Sequence, residues 1–172
     1  MKRRTTLALL VCLFAAPAFA LYDPKPDAAL SAVQGEWKGA LTYRDYSKPD
    51  RLVTLPTRLF IALGAPNELV LHYVFDDGPS KTVFSYERMN FDLLKNEIAW
   101  ASGSAEKAVS IGRITSNSVD SNGRQILFER KDGDKLDRYR LELSAGAFKL
   151  FKDEVSADGT TTFRNKFEFV RP

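Results

Sequence analysis

From Gly35 to the end of the chain, apolar and polar residues alternate in short runs, the signature of strands with one covered face. Trp37, Leu41 and Tyr43 share a face in the first run, opposite Glu36, Lys38, Thr42 and Arg44. The same period places Val53, Leu55, Leu59, Ile61 and Leu63 together, then Leu69, Leu71, Tyr73 and Phe75, then Tyr139, Leu141 and Leu143, and finally Phe163, Phe167 and Phe169. Between the runs stand turn formers such as Asp77-Gly78-Pro79, Lys95-Asn96, Asn122-Gly123, Asp132-Gly133 and Asp158-Gly159. The pattern predicts strands over 35–46, 51–63, 68–76, 81–91, 96–101, 107–116, 124–131, 135–143, 147–155 and 160–170. No long helical period interrupts them, which argues against a parallel α/β sheet. One-sided strands need a cover, and a meander without helices can supply it by closing on itself. The expected fold is an all-β, antiparallel up-and-down barrel of about eight to ten strands. A two-sheet sandwich is the alternative.

Residues 1–34 read differently. Lys2, Arg3 and Arg4, an apolar stretch from Leu7 to Phe14 and the small-x-small triplet Ala18-Phe19-Ala20 predict an export signal cleaved after Ala20, in a bacterial periplasmic or secreted protein. Cys12 raises lipidation as an alternative, although Val11 is a poor residue before a lipid-modified cysteine. Residues 21–34 form a proline-containing lead-in and one or two helical turns capped by Asp27, and residues 35–172 form a single domain. Three of the 25 basic residues lie in the leader and none of the 22 acidic ones does, so the remainder is balanced at 22 of each. A basic surface for nucleic acid is therefore not expected. The single cysteine also leaves with the leader, so the core must hold without disulfides. The leader's apolar stretch is too short to span a membrane.

The order "DAALSAVQGEW", a short helical turn followed by Gly35-x-Trp37, resembles the opening of the calycin superfamily of lipocalins, fatty-acid-binding proteins and nitrobindin-like barrels. The resemblance implies that Trp37 closes the barrel floor and that a basic residue of the last strand, Arg171 or else Arg164, packs on its indole. It also implies a small apolar or amphipathic ligand in the interior. The lipocalin disulfide is absent. Gly35 and Gly39 lie on the face of Trp37 and leave room beside it.

Chemistry is sparsely supplied. His72, the only histidine, alternates with apolar positions and is expected to point outward; no cysteine remains after the leader, and no nucleophile-elbow motif is present. Paired acids such as Asp132 and Asp134 sit at turns and read as turn formers. No catalysis, metal or cofactor is expected. The fourth strand is ambiguous, because one face carries Phe84, Tyr86, Arg88 and Asn90 while the other carries Val83, Ser85, Glu87, Met89 and Phe91. Either choice turns a charge inward, where it must be paired or serve a ligand. Arg113 and Asn165 raise the same question. Candidate ligand contacts are Trp37, Tyr43, Tyr73, Tyr86, Arg88, Arg113, Tyr139 and Asn165. The expected function is non-catalytic binding of a small hydrophobic or amphipathic molecule. The alternative is an envelope-associated structural or interaction module with a packed core, using exposed Phe148 or Phe151.

Overall fold

The fold is described from a computed structural model, which describes residues 27–103 and 109–172. One short helix, α1 (Ala28–Ala32), precedes ten strands: β1 (Gly35–Arg44), β2 (Leu52–Leu63), β3 (Glu68–Asp76), β4 (Thr82–Asp92), β5 (Glu97–Ser102), β6 (Ser110–Asp120), β7 (Gly123–Asp132), β8 (Lys135–Leu143), β9 (Ala147–Val155) and β10 (Thr161–Val170). Every strand pairs antiparallel with its chain neighbours, and β1 closes the ring on β10. The chain is thus a closed up-and-down barrel, and the sandwich alternative is set aside because no sheet edge remains to separate two layers.

The predicted strands fall within a few residues of those observed. The largest difference is β6, which runs on to Asp120 where the sequence pattern suggested an end at residue 116. A bulge between Ile114 and Ser116 breaks the alternation there, so the second half of the strand lost its readable period. The Asp120 carboxylate then accepts hydrogen bonds from the Asn122 and Gly123 amides and closes the hairpin. Residues 107–108 of the predicted strand, the leader and Cys12 lie outside the described residues.

The barrel has two unlike ends. At the base, Asp27 caps α1 by accepting from the Ala29 and Leu30 amides at 2.9 and 3.2 Å. Its other carboxylate oxygen lies 2.8 Å from Arg124 at the start of β7, which ties the helix to the strand bottoms. Leu30 and Val33 are thereby pressed into the core below Trp37. Above them the inward residues Leu59, Leu69, Leu71, Met89, Phe91, Ile98, Ile126, Leu141, Phe148, Leu150 and Phe169 fill the lower half. The opposite end receives the last residue of β1, β3, β5, β7 and β9 and the first of their partners. There the inward positions open to solvent: Tyr43, Val53, Leu55, Ser85, Trp100, Lys152 and Asn165 are half-buried and Val83 is exposed.

The outer wall carries charge on most strands, including Glu36, Lys38, Arg58, Glu97, Arg113, Arg138, Arg140, Lys149, Lys166 and Glu168. This is the reverse of the polarity a barrel needs to face lipid. No described helix is long and apolar enough to cross a membrane.

Candidate functional site

The base of the barrel shows why a tryptophan stands at the head of β1. Trp37 is fully buried, and its indole N–H donates to the Val33 carbonyl at 2.8 Å, so its one polar atom is satisfied. The Arg171 guanidinium lies 3.9 Å from the ring centroid, a cation–π contact. Its Nη1, Nη2 and Nε donate to the Gln34, Ala32 and Ala145 carbonyls, stitching β10 to the helix exit and to the β8–β9 turn. Arg164 instead covers Tyr46 at the other end, 3.7 Å from its ring. A side chain at Gly39 would run into the Glu168 carbonyl of β10, which packs against β1 at that point. Gly35 adopts φ +114°, and a Cβ there would come 2.9 Å from Arg171. Trp37 is therefore sealed into the floor, with no exposed surface left for a ligand.

The open half has a different chemistry. On β4 the pleat turns Glu87 inward with Ser85, Met89 and Phe91, and places Tyr86 and Arg88 on the outer wall. The expected interior roles of Tyr86 and Arg88 are corrected accordingly. Near the packed base this facing buries Met89 and Phe91, where the opposite facing would bring in Arg88 and Asn90, and that difference sets the direction of the strand. Arg88 pairs outside with Glu68 at 2.6 Å, and His72 meets the edge of Tyr86 on the same wall. Arg113 is also corrected to the outer wall: Gly112 and Ile114 face inward, while Val109, Ile111 and Arg113 are exposed. Tyr43, Tyr73, Tyr139 and Asn165 do face the interior.

Glu87 does not stand alone. Arg130 of β7, Asp137 and Tyr139 of β8 and Lys152 of β9 also point inward. Asp137 is almost fully buried and is held from three sides, with Oδ2 at 2.9 Å from Arg130, 2.9 Å from Lys152 and 3.1 Å from the Tyr139 hydroxyl. Burial by itself would raise its pKa, but Lys152 and Arg130 outweigh it and hold the carboxyl below its usual value. Tyr139 stacks on Phe128 at 4.7 Å and meets the edge of Trp100 at 5.1 Å, and the Arg130 guanidinium lies over both Trp100 and Tyr139. These four polar residues were legible in the alternation, since Arg130 continues the Ile126–Phe128 face, Asp137 the Tyr139–Leu141 face and Lys152 the Phe148–Leu150 face.

Beside this satisfied cluster lie three buried polar atoms with no hydrogen-bond partner: Oε2 of Glu87, Nε1 of Trp100 and the hydroxyl of Tyr73. Burial pushes the Glu87 pKa up to about 7, only partly opposed by the Trp100 N–H and the charge of Arg130. Burial, with the Glu87 carboxylate adding to it, also drives the Tyr73 phenol well above its usual range. Unpaired polar atoms are uncommon in a folded interior, which sets these three apart from the satisfied cluster beside them.

A second feature lies outside. Glu36, Phe60, His72 and Tyr86 form one row across β1 to β4. With Ala62 and Val70 they line a shallow groove of about 540 Å³, near which Phe84 stands 74% exposed. Phe148 and Phe151, the expected sticky pair, are not exposed: Phe148 is fully buried and Phe151 lies under the Arg140 guanidinium at 4.1 Å. Among the described residues, no group of three His, Cys, Asp or Glu side chains is placed to hold a metal ion.

The chain matches no protein-family model and no curated protein.

Proposed function

We propose that the protein is an exported carrier that binds a small amphipathic molecule in the open half of its barrel, without catalysis. The single observation that carries this reading is the trio of buried, unpartnered polar atoms on Tyr73, Glu87 and Trp100, set on a wall of aromatic rings. Such a wall offers what small-molecule sites offer: apolar surface for the body of the ligand and a few fixed polar atoms for its head. The solvent-reachable inward faces of Val53, Leu55 and Val83 give the apolar part a way in. The likeness of the Gly35-x-Trp37 opening to calycins and the export-type leader support the ligand class and the location in the periplasm or outside the cell. Protein isolated from its native source should carry a small molecule visible by native mass spectrometry, released on unfolding. A bare polypeptide mass, together with no change of tryptophan fluorescence on adding apolar dyes, would overturn the reading.

The outer groove favours a second reading, an interaction module docking through β2 to β4, because Phe84 and Phe60 expose aromatic area that a free barrel has no use for. A photo-crosslinker at position 84, used in the native compartment, should then give one defined adduct that Phe60→Glu abolishes. A diffuse smear or no adduct counts against it.

A further inference from the structure

Resting on the second reading, docking through β2 to β4, we infer that the outer groove receives Phe84 of a second copy of this chain, so that two barrels pair about a two-fold axis. The outer wall is uneven. On β8 to β10 its outward positions are charged, as at Arg138, Arg140, Lys149, Lys166 and Glu168. On β2 to β6 they include Phe60, Val70, Val74, Phe84, Tyr86 and Ile111.

On that apolar stretch a hole and a knob stand side by side. The groove of about 540 Å³ is lined by the small Ala62 and by Val70, with Phe60, His72 and Tyr86 beside them. Phe84 lies opposite Val74, one outward position along β4 from Tyr86, which sets it about 7 Å from the groove's lining. Its ring is largely in solvent. A two-fold axis standing on the wall between Phe84 and the groove carries each Phe84 over the groove of the other copy, and both contacts form together. Charge favours the same partner. Unlike proteins are commonly selected by opposite potentials, but Glu36 in the groove lining is already paired with Arg58, and Arg88 beside Val70 with Glu68. A second copy brings the same closed pairs and no charge to be matched. At roughly 200 Å² per aromatic side chain, Phe84 and Phe60 at 74% and 38% exposure offer about 220 Å² per copy. With Tyr86, His72 and Val70 around them, the contact reaches the low end for specific complexes, about 1,200 Å² in total, which suits a dimer of micromolar Kd.

The test is sedimentation velocity of the purified full-length chain over a concentration series from about 1 to 200 μM. Wild type should pass from monomer to dimer. Phe84→Ser, which removes the knob, and Ala62→Trp, which fills the hole, should each weaken the dimer at least about tenfold. An equimolar mixture of the two variants keeps one intact knob and one intact hole across the interface, and should associate at least about threefold more tightly than either variant alone. A photo-crosslinker at position 84 should join isotopically heavy and light copies at residues 60–72. A dimer indifferent to both substitutions, or a mixture with no recovery, would overturn the inference. So would a chain that stays monomeric while the crosslinker, used in the native compartment, captures one different protein; the docking reading then stands with another occupant. A monomer with no adduct brings down both. The wild-type series and the crosslink decide the matter even if a variant folds poorly.

Discussion

The two tryptophans stand toward opposite ends of one barrel and differ in how their polar atom is answered. Trp37 is sealed, its N–H bonded to Val33 and its face covered by Arg171. Trp100 is half-buried under the Arg130 guanidinium, and its N–H acts on the Glu87 carboxyl without closing a hydrogen bond. Around Trp37 the polar groups of the base are answered, while Arg124 Nε and Nη1 beside Asp27 make no hydrogen bond; toward the open half Tyr73, Glu87 and Trp100 each keep an unanswered atom, at a cost to folding. Two of the inward carboxylates of the open half, Asp137 and Glu87, repeat the contrast on a smaller scale. Asp137 has three partners on one oxygen, and Glu87 has one oxygen with none.

The largest effect should come from breaking the base. Trp37→Ala removes the stopper under Leu59 and Phe169 and the platform for Arg171, and should cost about 3 to 5 kcal/mol in chemical denaturation. Next is Glu87→Gln. The Glu87 pKa rises from 4.5 to about 7 on folding, so the folded state binds the extra proton. The contribution of Glu87 to stability should be full below pH 4.5, fall between there and about 7, and then level off. Removing the charge should recover about 2 to 3 kcal/mol above neutrality and flatten that slope, as read from melting temperatures across pH.

Asp137 acts with the opposite sign. Its pKa lies below 3.8 in the folded state, so its contribution is present above that value and disappears as pH falls through the lowered one. Asp137→Asn leaves Arg130 and Lys152 facing each other without their counter-ion and should cost about 2 to 3 kcal/mol at neutral pH. Together the two carboxylates place the wild-type stability maximum in the mildly acidic range. The smallest change should be Trp100→Phe, within about 1 kcal/mol, because the lost indole N–H had no partner. If Trp100→Phe proved as damaging as Trp37→Ala, the contrast between a sealed base and a less completely bonded open half would fail.

Most of the fold was readable because period-two alternation over ten turn-bounded runs gives the strands and their covered face, leaving only barrel against sandwich to the structure. The base was readable through the resemblance of the short capped turn and Gly35-x-Trp37 to the calycin opening, which implied both the stopper and the basic residue over it. The candidate site was only half readable. Tyr43, Tyr73, Tyr139 and Asn165 lie on strands where one face is plainly apolar, so their direction follows. Tyr86 and Arg88 were placed inside because both faces of β4 carry two large apolar residues and one charge, and alternation cannot choose between equals. Arg113 was misplaced for a related reason: Val109 and Ile111 look like a core face, but Gly112 occupies the inward position where the β5 side chain of Ile98 and the Phe128 ring crowd the space.

The sequence by itself determined that this chain makes a meander of one-sided antiparallel strands, since side-chain period and turn chemistry are local properties that survive in one dimension; closure into one barrel in place of two stacked sheets was settled by the pairing of β1 with β10. Only the tertiary structure decided that Glu87 rather than Arg88 enters the interior, that Asp137 gathers Arg130, Lys152 and Tyr139 around one oxygen, and that Tyr73, Glu87 and Trp100 are left unanswered. Those outcomes depend on how strands far apart in the chain share one enclosed space, where packing volume and charge balance are settled by the whole ring of strands and by no single one of them.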